Sequence, residues 1–381
     1  MKSDKAKKIE VLIPPAVGYS FSILLRFLFQ YGISLKYLYR IAILGVINLI
    51  NMPFRTYERW FINPRFKKEE ISTPPVFIIG HWRSGTTHLH NLLSCDPNMG
   101  FVTTYQGVFP DTLFIKTGRF IFKSFTRLLI PRRRKGDNVT LDPDNPQEEE
   151  FALGDKTAAC YYYFWMFPRD TLYFYEKFIR FRGIKSKTLE AWKNDYRLMI
   201  AKALKNTGGK TFLSKNPSNT GRIKVLLEMF PDAKFIYIHR NPVEVYLSTR
   251  NFFEKMMPPL QLQTISKAEI DENILTVYKN ILSDYESQKG LIPSGNLTEV
   301  RFSDLEENPV EMAGQIYDQL KLPGFKEARQ EFVNYTNQMK GYKKNEHTIQ
   351  QLKLGVILKE WDFAMKSYNY SVPDNIRIED D

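Results

Sequence analysis

The sequence predicts an α/β fold in which helices pack on a central parallel sheet of about five strands. Short apolar segments rich in β-forming residues occur near Pro75–Gly80, Gly100–Thr103, Lys210–Lys215, Lys234–His239 and Thr298–Phe302. Helical patterns follow the first and the fourth of these segments. The hydrophobic fraction of 43% with 25% charged residues is typical of a globular chain, and it excludes a fibrous repeat or general disorder.

The charge balance predicts an anionic partner. Lys and Arg number 54 against 42 Asp and Glu, which leaves a net charge of +12. The excess alone does not distinguish a nucleic acid, a lipid headgroup and a small phosphorylated cofactor. Only two cysteines, Cys95 and Cys160, are present, so a disulfide framework is excluded and a reducing, cytoplasmic location is expected.

The N-terminal 70 residues predict an amphipathic helical layer. Residues 17–50 are strongly apolar, but Arg26, Lys36 and Arg40 interrupt any charge-free window of the roughly 18 residues that a spanning helix needs. At about 100° per residue the polar side chains gather on one face, which predicts a helix or helix pair broken near Gly32. Two interpretations stay open. The layer packs on the main domain, or it contacts a membrane peripherally or forms the wall of an apolar acceptor pocket.

The segment from Val76 to Leu93, VFIIGHWRSGTTHLHNLL, predicts a first anion site. A buried strand, a turn between Gly80 and Gly85 and a helix start would point backbone N–H groups at one place, and the helix dipole would add to them. The glycine spacing fits the frame of a nucleotide-triphosphate loop, but Thr86 stands where that loop needs Lys. A nucleotide kinase is therefore only the alternative interpretation.

A second segment, FPDAKFIYIHRNPVEVYLSTRNFF from Phe230 to Phe253, predicts a second anion site. Arg240 follows a strand, Pro242 fits the first turn of the next helix, and Ser248 comes about two helical turns later. Ligands of open α/β sheets bind beyond the carboxyl ends of the strands, where Arg240 is expected.

Together these motifs resemble the donor-binding elements of sulfotransferases that use 3′-phosphoadenosine 5′-phosphosulfate, in particular the branch with an Arg-Ser-Gly-Thr-Thr loop. By this resemblance Arg83 bridges the sulfuryl and phosphate groups, and Arg240 and Ser248 hold the 3′-phosphate. The resemblance further assigns to the donor the rest of the loop and a basic C-terminal segment: Ser84, Gly85, Thr86, Thr87, Tyr342, Lys343 and Lys344. It implies a P-loop-like three-layer fold over residues 71–381.

The base for sulfuryl transfer is sought among carboxylates. Cytosolic sulfotransferases have a histidine two residues beyond a strand-end lysine, but here that position after Lys215 is Pro217. The run Asp144–Phe151 resembles the acidic motif of the Arg-Ser-Gly-Thr-Thr branch, so Glu148 or Glu150 is the expected base. His81 is a rival, and Lys215 is expected to be a second cation on the sulfuryl group. The sequence contains no group of His and Cys residues at the spacing of metal ligands, so no metal site is predicted.

The acceptor is predicted from the remaining sequence. An insertion at about 105–205 carries the basic run Arg132–Lys135 and the aromatic run Tyr161–Phe167, and it is expected to form the acceptor pocket. The basic run fits a solvated loop better than a site, and the aromatic run fits a hydrophobic core as well as a pocket wall. Together with the apolar N-terminal layer it favours a hydrophobic hydroxyl acceptor, such as a sterol or lipid alcohol, and not a nucleic acid. A basic membrane-surface protein with a vestigial loop is the alternative from another class.

Overall fold

The computed structural model describes residues 15–129, 141–157, 159–339 and 347–380. The basic run Arg132–Lys135 and the predicted donor-binding residues Tyr342, Lys343 and Lys344 lie outside the described residues.

Most of the described chain is helical. The helices of the first half are α1 (Phe21–Gln30), α2 (Leu38–Tyr57), α3 (Asn63–Phe66), α4 (Thr86–Leu93), α5 (Thr104–Val108), α6 (Lys116–Leu129), α7 (Glu149–Lys156), α8 (Thr171–Phe174) and α9 (Ser186–Thr207). Those of the second half are α10 (Ile223–Met229), α11 (Pro242–Leu260), α12 (Lys267–Gln288), α13 (Phe302–Glu307), α14 (Pro309–Gln319), α15 (Phe325–Met339), α16 (Gln351–Glu360) and α17 (Asp362–Ser367). Short 3₁₀ and π turns join several of them, including π turns at Glu58–Ile62 and Tyr175–Ile179.

The central sheet is parallel and has five strands, as the sequence predicts. They are β1 (Val76–Ile79), β2 (Met99–Gly100), β3 (Thr211–Lys215), β4 (Lys234–His239) and β5 (Leu297–Arg301), in the order β2-β3-β1-β4-β5. The second strand is shorter than predicted, because Thr103 does not continue it. Thr103 instead accepts a hydrogen bond from the backbone N–H of Gln106 and so caps α5.

Both faces of the sheet are covered, which makes the fold three-layered. Phe77 and Ile79 of β1 belong to one hydrophobic core, whereas Val76 and Ile78 belong to the other, because successive side chains of a strand point to opposite faces. The larger core contains the whole aromatic run Tyr161–Phe167, which is buried. This arrangement places the carboxyl ends of β1, β3 and β4 side by side at one edge.

A small second sheet was not predicted. Strands β6 (His347–Gln350) and β7 (Ile376–Glu379) pair in parallel near the end of the chain. The segment between β2 and β3 carries α5 to α9, in the range predicted as an insertion. Its role as an acceptor pocket, like the division of the chain at residue 70, stays a prediction.

The two long helices of the N-terminal layer bury different kinds of side chain against the rest of the protein. The chain breaks between α1 and α2 around Gly32, as predicted, with a 3₁₀ turn at Leu35–Tyr37. α1 buries apolar residues such as Leu24 and Phe27. α2 instead buries polar residues, among them Asn48 and Asn51. The polar face that the sequence predicts in residues 17–50 is therefore a packing face in α2.

One continuous helical segment in this layer, Leu35–Phe66, is long and apolar enough to cross a membrane by length and composition alone. Only 22% of its most apolar 18-residue window is buried. The sequence predicts no span, and core helices of soluble proteins and signal sequences can have the same length and composition.

Candidate functional site

The turn after β1 is shaped by two glycines in the left-handed half of backbone space. Gly80 has φ 136° and Gly85 has φ 95°. A Cβ at Gly80 would overlap the carbonyl oxygen of Ile238, and one at Gly85 would overlap the ring of Phe302. Both positions therefore need glycine for conformation and for space. Arg83 between them also has a positive φ, 70°, which non-glycine residues rarely adopt.

The turn delivers the chain into α4 with no side-chain cap. Gly85 is the N-cap residue of α4 and offers no side-chain acceptor to the first-turn N–H groups. Those N–H groups carry the positive end of the helix dipole, so the start of α4 is suited to an anion. The strand end before it is held by Thr220, whose hydroxyl accepts from the Gly80 N–H at 2.8 Å. We call residues Gly80–Thr87 the anion loop.

Arg83 joins the two anion motifs that the sequence predicts. Its Nε donates to the hydroxyl of Ser248 on α11 at 3.0 Å, and its guanidinium lies 4.8 Å from the ring centre of Phe252. The two motifs are 165 residues apart in sequence. They meet because β1 and β4 are parallel neighbours whose following turns emerge at the same edge.

Arg240 lies at the other side of the loop. Its guanidinium makes two hydrogen bonds of 3.1 Å to Glu244 and stacks 4.7 Å from the ring centre of Phe302, the ring that also packs on Gly85. A small cavity separates the two turns, and His81, Ser84 and Arg240 are among the residues that line it. Ser84 and Thr86 are buried there, and Thr87 is partly exposed.

His81 is buried against the cavity wall. Its Nδ1 lies 2.6 Å from the carbonyl oxygen of Trp82, so Nδ1 carries the proton in the neutral ring and Nε2 is the basic atom. Burial lowers the pKa of His81 to about 4. His90 on α4 is fully buried and packs edge-on to Phe101, and burial and the charge of Lys215 lower its pKa. Neither histidine carries a positive charge at neutral pH.

A chain of polar contacts links the anion loop to the acidic run. The indole Nε1 of Trp82 donates to the hydroxyl of Tyr162 at 2.8 Å, and that hydroxyl donates to Oε2 of Glu148. The other oxygen, Oε1, forms an ion pair of 2.5 Å with Nζ of Lys215 at the end of β3. The Glu148 side chain keeps 12% of its surface exposed, whereas that of Lys215 keeps 2%. Glu148 thus lies at the border of the buried interior.

Glu150, the other expected base, is enclosed. Both its carboxylate oxygens pair with Arg222, at 2.6 and 2.9 Å, and it also accepts from Asn216 and from the backbone N–H of Tyr161. Glu150 and Arg222 have no exposed side-chain surface. Although burial raises the pKa of Glu150, attraction and hydrogen bonding to Arg222 outweigh it and lower the pKa overall. Such a carboxylate holds structure together but has little capacity to take a proton.

Glu149, which lies between Glu148 and Glu150 in the sequence, has a different set of hydrogen-bond partners from either. It accepts hydrogen bonds from Tyr196 at 2.6 Å, from Asn219 at 3.0 Å and from Ser214. Burial raises the pKa of Glu149. The three successive glutamates therefore face three sets of partners, because Glu148 precedes α7 as its N-cap residue while the next two begin the helix.

Sequence reasoning missed three residues of this site. Trp82 was available as a signal because it stands inside the loop, and Tyr162 belongs to an aromatic run that was interpreted as either core or pocket. Arg222 follows a loop with no recognisable pattern and pairs with a residue 72 positions away, so nothing local could identify it. Among the described residues, no group of three or more His, Cys, Asp or Glu side chains is placed to hold a metal ion.

Comparisons with known proteins agree with this geometry. Two curated relatives, the omega-hydroxy-beta-dihydromenaquinone-9 sulfotransferases Stf3 of Mycobacterium bovis and Mycobacterium tuberculosis, are 27% identical over 369 residues, which is 96% of this chain and 94% of theirs. The crystal structure of sulfotransferase STF9 from Mycobacterium avium has a TM-score of 0.69 at 17% identity and covers 87% of this chain and 86% of its own.

Sulfotransferase STF1 from Mycobacterium tuberculosis H37Rv has a TM-score of 0.65 at 17% identity, with coverage of 89% and 90%. The two structures establish the fold. A sulfotransferase family model matches residues 74–327, which is more than half of the chain and contains the anion loop, the acidic run and Arg240. The chain therefore belongs to the sulfotransferase family.

Proposed function

We propose that this sulfotransferase moves a sulfuryl group from 3′-phosphoadenosine 5′-phosphosulfate to a hydroxyl group of a hydrophobic acceptor, with Glu148 as general base. The observation that carries the proposal is the ion pair between Glu148 and Lys215, which Tyr162 and Trp82 connect to the anion loop. A proton acceptor and a cation thus lie beside a backbone suited to a phosphate group.

The described residues fit such a donor. The uncapped start of α4 and the cation of Arg83 suit a phosphosulfate. Arg240, which lines the small cavity, and Ser248, which contacts Arg83, remain the proposed residues for the 3′-phosphate on the resemblance. When bound, the donor supplies an activated sulfuryl group on a phosphate leaving group. Arg83 stays protonated at neutral pH, so it stabilises charge but does not donate the proton. Tyr342, Lys343 and Lys344 remain proposed contacts on the resemblance alone.

Glu148 is favoured over its rivals by its surroundings. It is the least enclosed of the three glutamates, and its two oxygens are oriented by Tyr162 and Lys215. In the transfer, the carboxylate takes the proton of the acceptor hydroxyl and the hydroxyl oxygen forms a bond to sulfur. The bond between sulfur and the 5′-phosphate oxygen of the donor breaks, and adenosine 3′,5′-bisphosphate leaves. Glu150 is fully paired with Arg222 and has no exposed side-chain surface. His81 is buried with its Nδ1 at the carbonyl oxygen of Trp82, whereas Glu148 keeps an exposed edge beside Lys215. Glu150 is therefore a positioning residue for the start of α7.

A lipid alcohol is the preferred acceptor class. The curated relatives carry the name of an omega-hydroxylated menaquinone, a lipid hydroxyl compound. Tyr162, which orients Glu148, lies in the buried aromatic run Tyr161–Phe167, so the surroundings of the base are apolar on one side. Sterols fit the same chemistry. Family membership favours transfer of a sulfuryl group over the kinase and the binding-protein alternatives.

The test combines transfer and binding. Purified protein with sulfur-labelled donor and a panel of lipid alcohols, sterols, phenols and glycans should label a lipid or sterol hydroxyl. Glu148→Gln should lower the turnover rate about 100- to 10,000-fold, the range for loss of a general base, and retain binding of the adenosine 3′,5′-bisphosphate product. Glu150→Gln is the contrasting variant, which should mainly lower the melting temperature because Arg222 loses its charged partner.

Arg240→Ala should weaken binding of the bisphosphate about tenfold or more, since it removes charge-assisted hydrogen bonds. Absence of transfer to every acceptor, together with absence of bisphosphate binding, would disprove the proposal. Full turnover by Glu148→Gln would disprove the role of the base.

A further inference from the structure

The N-terminal layer exposes a large apolar surface. Of the 23 large hydrophobic side chains that the described residues expose, 14 lie within residues 21–61 and three more lie on α6. Phe29 is 88% exposed, Trp60 71% and Leu49 64%. Single apolar side chains are normal on a protein surface, but this concentration on neighbouring helices indicates an interaction site.

α2 is inverted relative to a core helix of a soluble protein. Three of its four buried residues are polar, namely Asn48, Asn51 and Arg55 beside Leu44, and its exposed face carries residues such as Val46 and Leu49. A helix that covers a domain in water normally does the reverse, with apolar residues inward. The inversion indicates that the outer face of α2 meets an apolar environment.

The inward polar face fastens α2 to the body of the protein. Arg40 donates to the carbonyl oxygens of Pro258 and Gln261 at 2.9 and 2.7 Å. Arg55 donates to the carbonyl oxygen of Tyr19 and so holds α2 to the start of the same layer. Glu58, just after α2, forms an ion pair of 2.8 Å with Lys202. A helix fastened by a polar face along its length lies on the protein and leaves one side for a partner, which is unlike a span that lipid surrounds.

α6 extends the same surface. The rings of Phe54 and Phe122 meet at 5.5 Å, and Gly118 lies directly against Phe54, so α6 packs beside α2. α6 exposes Phe120 and Leu128 and buries Phe122. Two helices therefore present apolar side chains outward.

The helices of this surface expose basic side chains and no acidic one, although Asp144 of a neighbouring segment pairs with Lys123 of α6. The only acidic residue within residues 15–66 is Glu58, which is buried, and α6 contains no acidic residue. Exposed cations lie in the same segments at Arg26, Lys36, Lys116 and Arg127. Apolar side chains bordered by cations are the combination that binds the interface of an anionic membrane.

We propose that the exposed faces of α1, α2 and α6 form a docking surface for a lipid bilayer with anionic headgroups, on which the protein lies peripherally. The apolar side chains enter the boundary between headgroups and acyl chains, and the bordering cations pair with the headgroups. The benefit for catalysis rests on the proposed lipid acceptor. α1 lies between this surface and the aromatic run, because Phe27 contacts Tyr163 at 4.6 Å and Phe167 at 5.3 Å.

Vesicle flotation of the full chain tests the docking surface. The protein should float with vesicles of phosphatidylcholine and phosphatidylglycerol, float less with phosphatidylcholine alone, and bind less at high salt. The triple variant Val46→Gln/Leu49→Gln/Trp60→Gln should partition at least tenfold less into the anionic vesicles. The matched control Leu291→Gln/Ile378→Gln changes exposed apolar residues elsewhere and should float like the wild type.

A comparison of two acceptors, one soluble and one held in vesicles, then separates the effect on docking from the effect on catalysis. The triple variant should keep the wild-type rate toward a soluble short-chain alcohol and lose at least tenfold toward a lipid alcohol held in vesicles. Flotation without transfer to any acceptor would uphold the docking surface and count against the proposed function. Wild-type protein that stays with the soluble fraction, or a triple variant that floats fully, would overturn the docking surface. Self-association that the triple variant abolishes, without vesicle binding, would assign the surface to a second copy of the chain.

Discussion

Two clusters of buried charge lie in different parts of the molecule. The helix cluster, beneath the end of α2, consists of Glu58, Arg59, Asp111, Lys156 and Lys202. Asp111 pairs there with Arg59 at 2.5 Å, Lys156 at 2.8 Å and Lys202 at 3.1 Å. The crevice cluster, at the carboxyl edge of the sheet, consists of Glu148, Glu149, Glu150, Lys215 and Arg222. It contains one enclosed pair, Glu150 with Arg222, and one at the border of the interior, Glu148 with Lys215.

The two clusters differ in whether a carboxylate keeps an accessible edge. In the helix cluster each carboxylate is buried and held by cations, so it fastens the N-terminal layer to the body. The crevice cluster contains the same kind of enclosed pair, but it adds a carboxylate with an accessible edge next to the anion loop. Burial and pairing alone therefore do not identify a functional residue, and the proposed role of Glu148 depends on its accessible edge beside the anion loop.

The helix cluster should give the largest stability effect. Asp111→Asn removes the charge that Arg59, Lys156 and Lys202 share and leaves buried lysines undercompensated. We expect the free energy of unfolding to fall by about 4–5 kcal/mol, the upper end of the range for a broken buried ion pair. Urea unfolding followed by circular dichroism measures it. The control is Asp144→Asn, whose pair with Lys123 is half exposed and should contribute less than about 1 kcal/mol. Equal losses would remove the distinction between buried and exposed pairs.

The enclosed half of the crevice cluster should behave like the helix cluster. Arg222→Met leaves Glu150 as an unpaired buried carboxylate and should lower the free energy of unfolding by about 3–4 kcal/mol. Adding Glu150→Gln should restore part of that loss, because the uncompensated charge is then gone. Denaturant titration of the two variants measures the recovery. If the double variant were as unstable as the sum of the two single changes, the pair would not act as a unit.

Acid should weaken the two regions in different pH ranges. His81 lies near the crevice cluster, and its pKa is about 4 in the folded protein against 6.5 for a free histidine. Between these two pH values the unfolded chain binds a proton at His81 and the folded protein does not. Stability should therefore fall as the pH drops from 6.5 to about 4, by about 3 kcal/mol at most from this residue. Burial raises the pKa of Asp111, but the charges of Lys156, Lys202 and Arg59 together outweigh it and lower that pKa well below 3.8. The stability that Asp111 contributes is therefore complete above pH 3.8 and is lost only as the pH falls below it.

Urea unfolding at several pH values distinguishes the two regions. His81→Asn should lose part of the decline between pH 6.5 and 4, whereas Asp111→Asn should keep it in full. A decline in that range that depended on Asp111 and not on His81 would reverse the assignment of the two regions.

The sequence predicts the parts of this molecule that local patterns encode. The five strands and the glycines of the anion loop follow from short apolar runs and turn residues, and Arg83 and Arg240 follow from their places at strand ends. The inversion of α2 was not predictable, because the same periodicity describes a helix with either face inward. The partners of Glu148 and Glu150 were not predictable either, since Lys215 and Arg222 are 67 and 72 positions away.

The smallest expected effect concerns Arg240 of the second anion site, which we expect to exchange its partner Glu244 for a bound phosphate group. Arg240 makes two hydrogen bonds of 3.1 Å to Glu244, one turn along the chain, and both side chains are partly exposed. Glu244→Gln should change the free energy of unfolding by less than about 0.5 kcal/mol, as for other i,i+4 pairs. It removes a negative charge that competes for Arg240, so affinity for adenosine 3′,5′-bisphosphate should rise a few-fold, most clearly at low salt.

Isothermal titration with the bisphosphate measures the change, and Glu254→Gln on the same helix is the control, because Glu254 pairs with Arg250 instead. If affinity for the bisphosphate rises a few-fold in Glu244→Gln and not in Glu254→Gln, Arg240 exchanges its partner Glu244 for the ligand. Unchanged affinity together with a stability loss of several kcal/mol would instead place it with Arg222 and Lys202, whose partners are fixed by the fold.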